Sequence, residues 1–227
     1  MEVILEKANM KKAVYLIVLS LTGSALALGP MGPPTTTMRQ GQWEIGAAYT
    51  DSEQEINLEN GAEFEDAELR SVLARVTVGL ATNRMELFGL GGWAEFEDEG
   101  SDNNIVVGIG TRITATSEAE LNWGVMAQIL RYEFDIGDTE LNLYEIQVGI
   151  GPCWRPGNFI LYGGPMLQFV TGQSDSDLGG DVDIEEDTLF GGYIGVGAKL
   201  WEHLTANVEG QVTTESRAIS AGLAWQF

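Results

Sequence analysis

The sequence has 227 residues and a formal net charge of −22, from 34 acidic and 12 basic residues. This length fits one β domain of ordinary size, and the negative charge excludes a nucleic-acid-binding protein, because phosphates would be repelled. The chain has one cysteine, Cys153, and one histidine, His203. An intrachain disulfide and a Cys/His zinc cluster are therefore excluded as well.

An export signal is predicted near the start of the chain. Residues 10–27 read MKKAVYLIVLSLTGSALA, with two lysines, a short apolar core and an A-x-A cleavage site at Ala25-Leu26-Ala27. The core is shorter than the roughly 20 residues of a membrane-spanning helix. We therefore expect a signal peptide over residues 1–27, cut before Leu28, rather than an uncleaved anchor. Residues 1–9 fit no signal pattern and are a candidate artefactual extension.

The next segment, residues 28–41, reads LGPMGPPTTTMRQG. Its Pro, Gly and Thr content is typical of irregular backbone, and we expect a flexible periplasmic arm. From Gln42 onward, apolar and polar residues alternate with a period of two, which predicts strands. The pattern is clearest in the last ten residues, AISAGLAWQF, whose apolar side chains occupy every second position.

The alternation predicts ten strands over residues 42–227. They are residues 42–51, 69–80, 85–96, 105–115, 120–134, 140–154, 159–170, 189–200, 203–213 and 217–227. Most are close to the 9–11 residues that a tilted strand needs to cross a bilayer. Strand three is the least defined, because either of its faces could point outward. Loss of a hairpin there would leave eight strands, which is the alternative.

The connections between these strands alternate in length. Acidic loops reading DSEQEINLENGAEFEDAE, EDEGSDNN, DIGDT and TGQSDSDLGGDVDIEEDT follow the first, third, fifth and seventh strands. Tight turns reading ATNR, TSEA, RPGN and EH follow the second, fourth, sixth and eighth. Long loops on one rim and short turns on the other are typical of outer-membrane barrels. An even number of strands places both termini on the periplasmic side.

With its export signal, alternating strands and terminal AISAGLAWQF, the chain resembles the small OmpA-like and porin-like families of bacterial outer-membrane β-barrels. The resemblance covers residues 42–227 and is one of pattern. It implies an all-β, antiparallel, up-and-down transmembrane barrel that contacts outer-membrane lipids. Phe227, an aromatic residue after alternating apolar positions, resembles the signal read by the barrel-assembly machinery. We expect a monomer.

Strand parity separates an apolar outer set of side chains from a polar inner set. The inner set includes three cations and three carboxylates, which persist in a narrow lumen only if paired or hydrated, since an isolated buried charge costs several kcal/mol. We interpret them as a lumen charge network in which the cations pair with the carboxylates. The network comprises Glu44, Arg75, Arg112, Glu145, Lys199 and Glu209. Two interpretations stay open, a salt-bridged plug and the selectivity filter of a small pore, for which inward glycines would leave space.

No catalytic site is predicted. His203 falls in the EH turn on the periplasmic rim, whereas an omptin-like protease needs Asp/His pairs at the outer rim, and no serine partner for a lipase-like site is evident. The acidic stretch DSDLGGDVDIEE has an EF-hand-like spacing. It is either an ordinary solvated loop or a weak Ca²⁺ site, and no other cofactor is expected. The candidate ligands are Asp175, Asp177, Asp181, Asp183 and Glu186.

The sequence therefore predicts a non-enzymatic outer-membrane barrel with a structural or surface-interaction role and a mostly plugged lumen. The alternative is a small porin-like diffusion channel for ions or small solutes. A third hypothesis, a soluble secreted β protein, differs from both because it would not need a membrane.

Overall fold

The computed structural model describes residues 28–57, 63–80, 84–96, 102–118, 120–136, 139–176, 182–185, 189–214 and 216–227. The predicted signal peptide lies outside these ranges. The strands are β1 (Trp43–Asn57), β2 (Glu63–Gly79), β3 (Met85–Phe96), β4 (Asp102–Glu118), β5 (Leu121–Ile136), β6 (Thr139–Trp154), β7 (Phe159–Ser176), β8 (Val182–Glu185), β9 (Leu189–Lys199), β10 (Leu204–Thr213) and β11 (Ser216–Gln226). Across the described ranges, no helix is long and apolar enough to cross a membrane.

Ten of these strands close into one antiparallel barrel. Strands β1 to β7 each pair with the next strand in the chain, β7 pairs with β9, and β9 continues through β10 to β11. The ring closes where β1 pairs with β11, from Glu44–Gln226 to Gln54–Ser216. The four-residue β8 pairs with β7 within the connection to β9. The predicted all-β, up-and-down barrel of ten strands is confirmed, and the alternative of eight strands is wrong.

Several hairpins extend further than predicted at the end of the barrel that carries the long connections, here called the long-loop end. Strand β1 continues to Asn57 and β7 to Ser176, inside stretches predicted as acidic loops. Continued pairing satisfies backbone amides and carbonyls that would otherwise need water. The opposite rim, here called the short-turn end, carries the tight turns before β3, β5, β7 and β10.

The outward face of the barrel is apolar. Trp93 is 60 % exposed and Ile194 is 73 % exposed, and aliphatic side chains from the other barrel strands join them. Aromatic residues collect at the short-turn end, where they form a girdle of the kind found at membrane interfaces; these are Trp43, Trp154, Trp201, Trp225 and Phe227. A continuous exposed apolar belt is the surface that a hydrocarbon environment stabilises and that water does not.

The belt gives a first testable prediction. Val148 lies on the outward face of β6, between Ala127 of β5 and Leu167 of β7. We expect Val148→Arg to lower the free energy of unfolding in lipid vesicles by about 2–4 kcal/mol, because an arginine near the midplane is desolvated. The control is Phe159→Arg at the short-turn rim, where the cost is about 0–1 kcal/mol. Equal losses in urea titrations of the two variants would contradict the proposed position of the belt.

The interior is divided into two layers. Toward the long-loop end the inward side chains are largely apolar, which strand parity did not predict, because the inner set was expected to be polar. These buried residues include Leu69, Leu73, Leu90, Val106, Leu130, Tyr132, Phe134, Leu143, Val170 and Leu189. In a barrel this narrow, side chains from opposite walls meet and pack. The polar layer lies below them, toward the short-turn end, and holds the candidate site.

Candidate functional site

The segment that precedes β1 lies inside the barrel. We call residues 28–38 the lumen segment. Met31 is fully buried and Leu28 is 1 % exposed. The methyl end of Met31 lies over Gly149 of β6, and the carbonyl of Pro34 lies over Gly124 of β5. The prediction of a flexible arm is therefore wrong for residues 28–38, because inward glycines leave room and inward polar side chains bind the backbone of the segment.

Glu209 of β10 binds the first half of the lumen segment. The backbone amides of Met31 and Gly32 donate to its two carboxylate oxygens at 2.9 and 2.8 Å. Gln211 donates to the same carboxylate at 2.8 Å and to the carbonyl of Gly29 at 2.9 Å. One carboxylate and one amide thus satisfy three backbone groups that would otherwise be buried without partners.

Glu86 of β3 binds the second half of the lumen segment in the same way. The amide of Met38 donates to its carboxylate at 2.6 Å, and the amide of Thr37 donates to the same oxygen. The other oxygen pairs with Arg112 of β4 at 3.5 Å. Glu86 has no exposed surface, so this carboxylate depends on the segment and on Arg112 for its stabilisation.

Guanidinium groups bind the carbonyls of the lumen segment. Arg112 donates to the carbonyl of Met31 at 3.3 Å, and Arg75 of β2 donates to it at 3.4 Å and also to the carbonyl of Pro30. Both guanidinium groups lie over the ring of Phe88, that of Arg75 at 4.6 Å and that of Arg112 at 5.0 Å from the ring centroid. The carboxylates therefore accept hydrogen bonds from amides of the segment, and the arginines donate hydrogen bonds to its carbonyls.

The short-turn end adds a third attachment. Arg155, in the turn between β6 and β7, donates to the hydroxyl of Thr35 and to the carbonyl of Thr36, both at 2.8 Å. The hydroxyl of Thr114 of β4 accepts a hydrogen bond from the amide of Thr36 at 2.9 Å. The lumen segment is thus held from β2, β3, β4, β10 and one turn.

Gly32 is the position of the lumen segment that only glycine fits well. Its φ is +76°, in the left-handed region that glycine adopts at little cost. A Cβ at this position would stand 2.8 Å from a terminal nitrogen of Arg112. The close approach of backbone and guanidinium therefore depends on the absence of a side chain.

Glu145 of β6 forms a separate cluster near the start of the lumen segment. Its carboxylate accepts hydrogen bonds from the Tyr132 hydroxyl at 2.8 Å and from the amides of Gln147 and Gln168 at 2.8 and 2.7 Å. The backbone of Gly29 is hydrogen-bonded to it as well. Glu145 is 1 % exposed, so all of its partners are within the protein.

The six predicted network residues lie on the inward side of their strands, but the structure does not bring them into mutual ion pairs. Among the described residues, the ion pair of Arg112 is with Glu86, and Glu145 and Glu209 are bound by amides, hydroxyls and the lumen segment. Lys199 is exposed at the short-turn end. Sequence reasoning missed Glu86, because the parity of strand three was left open, and Arg155, because a residue in a turn has no strand parity.

A cavity of about 270 Å³ lies beside the lumen segment at the short-turn end. Its wall carries charge of both signs, from Glu44 and Glu202 and from Arg75, Arg112, Arg155 and Lys199. This mixed lining can accommodate water and small polar solutes, whereas the apolar layer toward the long-loop end cannot solvate an ion.

The predicted divalent-cation site lies mostly outside the described residues. Asp177, Asp181 and Glu186 are not described, and Asp175 and Asp183 belong to β7 and β8. Within the part of the chain that the structure covers, no group of three His, Cys, Asp or Glu side chains could hold a metal ion. The site in the acidic loop therefore stays a prediction.

Comparisons with known proteins found distant similarities to solved structures. No family model and no curated protein matches the chain. The outer membrane protease OmpT of Escherichia coli is similar at 11 % identity and a TM-score of 0.46, over 88 % of this chain and 99 % of that one. The translocator domain of the autotransporter NalP of Neisseria meningitidis is similar at 12 % identity and a TM-score of 0.48, over 84 % and 90 %. Ail, the attachment invasion locus protein of Yersinia pestis, is similar at 11 % identity and 0.38, over 83 % and 99 %. At these values the similarities support no conclusion about this chain.

Proposed function

We propose that the chain is an outer-membrane β-barrel whose lumen is closed by its own N-terminal segment and whose role is structural or surface-interacting. The observation that carries this proposal is the binding of the lumen segment by Glu86, Glu209 and Arg112. These side chains belong to three different strands and form hydrogen bonds with backbone amides and a carbonyl of the segment. A segment satisfied on several sides fills the space that a diffusing solute would need.

The membrane location is supported by the exposed apolar belt and by the export signal predicted over residues 1–27. We expect the mature protein in the outer-membrane fraction, resistant to extraction with urea. Unboiled protein should migrate differently from boiled protein on a denaturing gel, because a closed barrel stays folded in the detergent until it is heated. Release of the mature chain into the soluble fraction would contradict the proposal and favour a secreted β protein.

We propose a non-enzymatic role, although one of the similar structures is described as a protease. The chain has one histidine, His203, which is exposed at the short-turn end. Its ring lies 5.8 Å from that of Trp225, centroid to centroid. This position suits an aromatic contact at the rim and not a general base at the opposite rim.

A small porin-like channel is the second candidate, and the cavity of about 270 Å³ at the short-turn end favours it. The two candidates differ in conductance. We expect the purified protein to give no steady current in a planar lipid bilayer, because the lumen segment fills the barrel beside that cavity. Steady current steps from the wild-type protein would contradict the closed lumen and support the channel.

Two further proposals concern partners. Recognition of the last strand, ending in Phe227, by the barrel-assembly machinery is supported by its alternating apolar residues. Weak Ca²⁺ binding by the acidic stretch at residues 175–186 is supported by its ligand spacing. Calorimetric titration of the folded barrel with Ca²⁺ tests the second, and the absence of binding at millimolar Ca²⁺ would contradict it.

A further inference from the structure

Glu145 is a buried carboxylate without a cation. Its partners are one phenol, two side-chain amides and the backbone of Gly29. Among the ion pairs of the described residues, none includes Glu145. A carboxylate taken out of water costs several kcal/mol unless a positive charge or excellent hydrogen bonding compensates it. Within the described residues, the charge of this carboxylate therefore has hydrogen-bond donors but no ion-pair partner.

The sequence supplies such a cation one residue away from Gly29. The predicted signal peptide ends at Ala27, so its removal makes Leu28 the first residue of the mature chain. The predicted cleavage site comes from the sequence alone, and the position of Glu145 comes independently from the structure. They meet at adjacent residues.

We propose that cleavage of the signal peptide creates a buried binding partner for Glu145, namely the α-ammonium group of Leu28. Hydrolysis of the Ala27–Leu28 peptide bond by a signal peptidase consumes one water molecule and leaves a carboxylate on Ala27 and an ammonium group on Leu28. The new ammonium group forms an ion pair with the Glu145 carboxylate inside the lumen. Removal of the signal peptide thereby adds one more contact between the lumen segment and the barrel wall.

The geometry supports this pairing in two ways. Consecutive Cα atoms are about 3.8 Å apart, so the nitrogen of Leu28 lies close to the backbone of Gly29, which is already hydrogen-bonded to Glu145. In the unprocessed chain Leu28 is 1 % exposed, and an ammonium group at this place inside the barrel would need a counter-charge. The inference rests on the proposed signal peptide and on the position of the lumen segment.

Amine labelling tests the proposal with little ambiguity, because Lys199 is the only lysine after residue 27. The mature protein therefore has two primary amines, the α-amine of Leu28 and the exposed side chain of Lys199. Protein purified from outer membranes is treated with formaldehyde and a borohydride reagent, folded or after denaturation, and the modified peptides are identified by mass spectrometry. We expect the mature chain to start at Leu28, with labelling of Lys199 alone when folded and of both amines when unfolded.

Two variants separate the ion pair from general burial. Glu145→Gln keeps the shape but removes the charge, and we expect labelling of folded Leu28 to rise by about tenfold or more. The matched control is Glu202→Gln, the same change at an exposed carboxylate, which should leave Leu28 protected. If Glu145→Gln does not fold, Lys199→Arg in the otherwise unchanged protein leaves Leu28 as its single amine, and labelling of the folded form as fast as of the unfolded form overturns the proposal.

The outcomes also separate this inference from the proposed function. A mature chain that starts elsewhere, or a folded Leu28 labelled as fast as Lys199, overturns the inference and leaves the closed lumen to the conductance measurement. Equal protection of Leu28 in wild type and in folded Glu145→Gln also overturns it. A protected Leu28 in a barrel that conducts steadily supports the ion pair and contradicts the closed lumen.

Discussion

Deletion of residues 28–38 is expected to turn a barrel that passes no steady current into one that conducts in discrete steps. The deletion removes the buried side chains of Leu28, Met31 and Met38 from the lumen. It also leaves Glu86 and Glu209 without the amides that they bind. Water is expected to enter, because unpaired carboxylates in a confined space recruit it.

The measurement is single-channel recording in planar bilayers, with folding of each variant checked by its heat-dependent migration on a gel. Arg39→Ser is the matched control, since Arg39 follows the lumen segment directly and is exposed. This variant should give no steady current, like the wild-type protein. A deletion variant that folds and is as silent as wild type would show that the apolar layer at the long-loop end closes the barrel without help from the segment.

Glu86→Ala is expected to lower the free energy of unfolding by about 3–5 kcal/mol, the cost of breaking a buried ion pair by removing one partner. Arg112 would keep its charge in the lumen but lose the carboxylate at 3.5 Å. The amides of Thr37 and Met38 would lose their acceptor at the same time.

Urea unfolding in lipid vesicles, followed by tryptophan fluorescence, measures this loss. The matched control is Glu53→Ala, which removes the partner of Arg217 at an exposed position of β1. An exposed pair contributes about 0–1 kcal/mol, so this variant should unfold close to wild type. A loss below 1 kcal/mol for Glu86→Ala would mean that the buried carboxylate does not hold the lumen segment.

The barrel could be predicted from the sequence because its physical cause is local. A strand with lipid on one side and packed side chains on the other must alternate with period two, and this pattern placed the short-turn end of every barrel strand to within three residues. Even the weakest case, Met85–Phe96, has the predicted bounds. The ends at the long loops were less predictable, because hairpin pairing continues there through polar residues that carry no apolar alternation.

The lumen segment could not be predicted from its composition. Prolines and glycines in LGPMGPPTTTMRQG are typical of irregular backbone, and the chain is irregular there. Irregular backbone is usually exposed because its amides and carbonyls need partners, but here the partners are side chains from distant strands. Two signals pointed to burial, namely the apolar residues Leu28, Met31 and Met38 and the inward glycines that were interpreted as empty space.

The contacts of the charged residues were also beyond sequence reasoning. Inward parity identified Arg112 and Glu209 as lumen residues, but parity does not say which groups meet across a barrel. Glu209 faces backbone amides, and Arg112 faces Glu86 on the neighbouring strand. The first contact depends on the path of the lumen segment, which has no periodic signal. The second depends on the parity and register of β3, where Glu86 pairs directly with Arg112.

The connection between the lumen segment and β1 has a consequence for how tightly the segment is retained. Only residues 39–42 link the two, and they are fixed by hydrogen bonds from Gly41 to Gly79 and from Gln42 to Arg39, at 2.9 and 3.1 Å. Because segment and binding groups belong to one chain, release is a unimolecular equilibrium that dilution does not shift. A tether this short gives an effective concentration in the millimolar range. A separate peptide reading LGPMGPPTTTM would therefore need roughly millimolar concentration to occupy the deletion variant as fully as the tethered segment occupies the intact barrel.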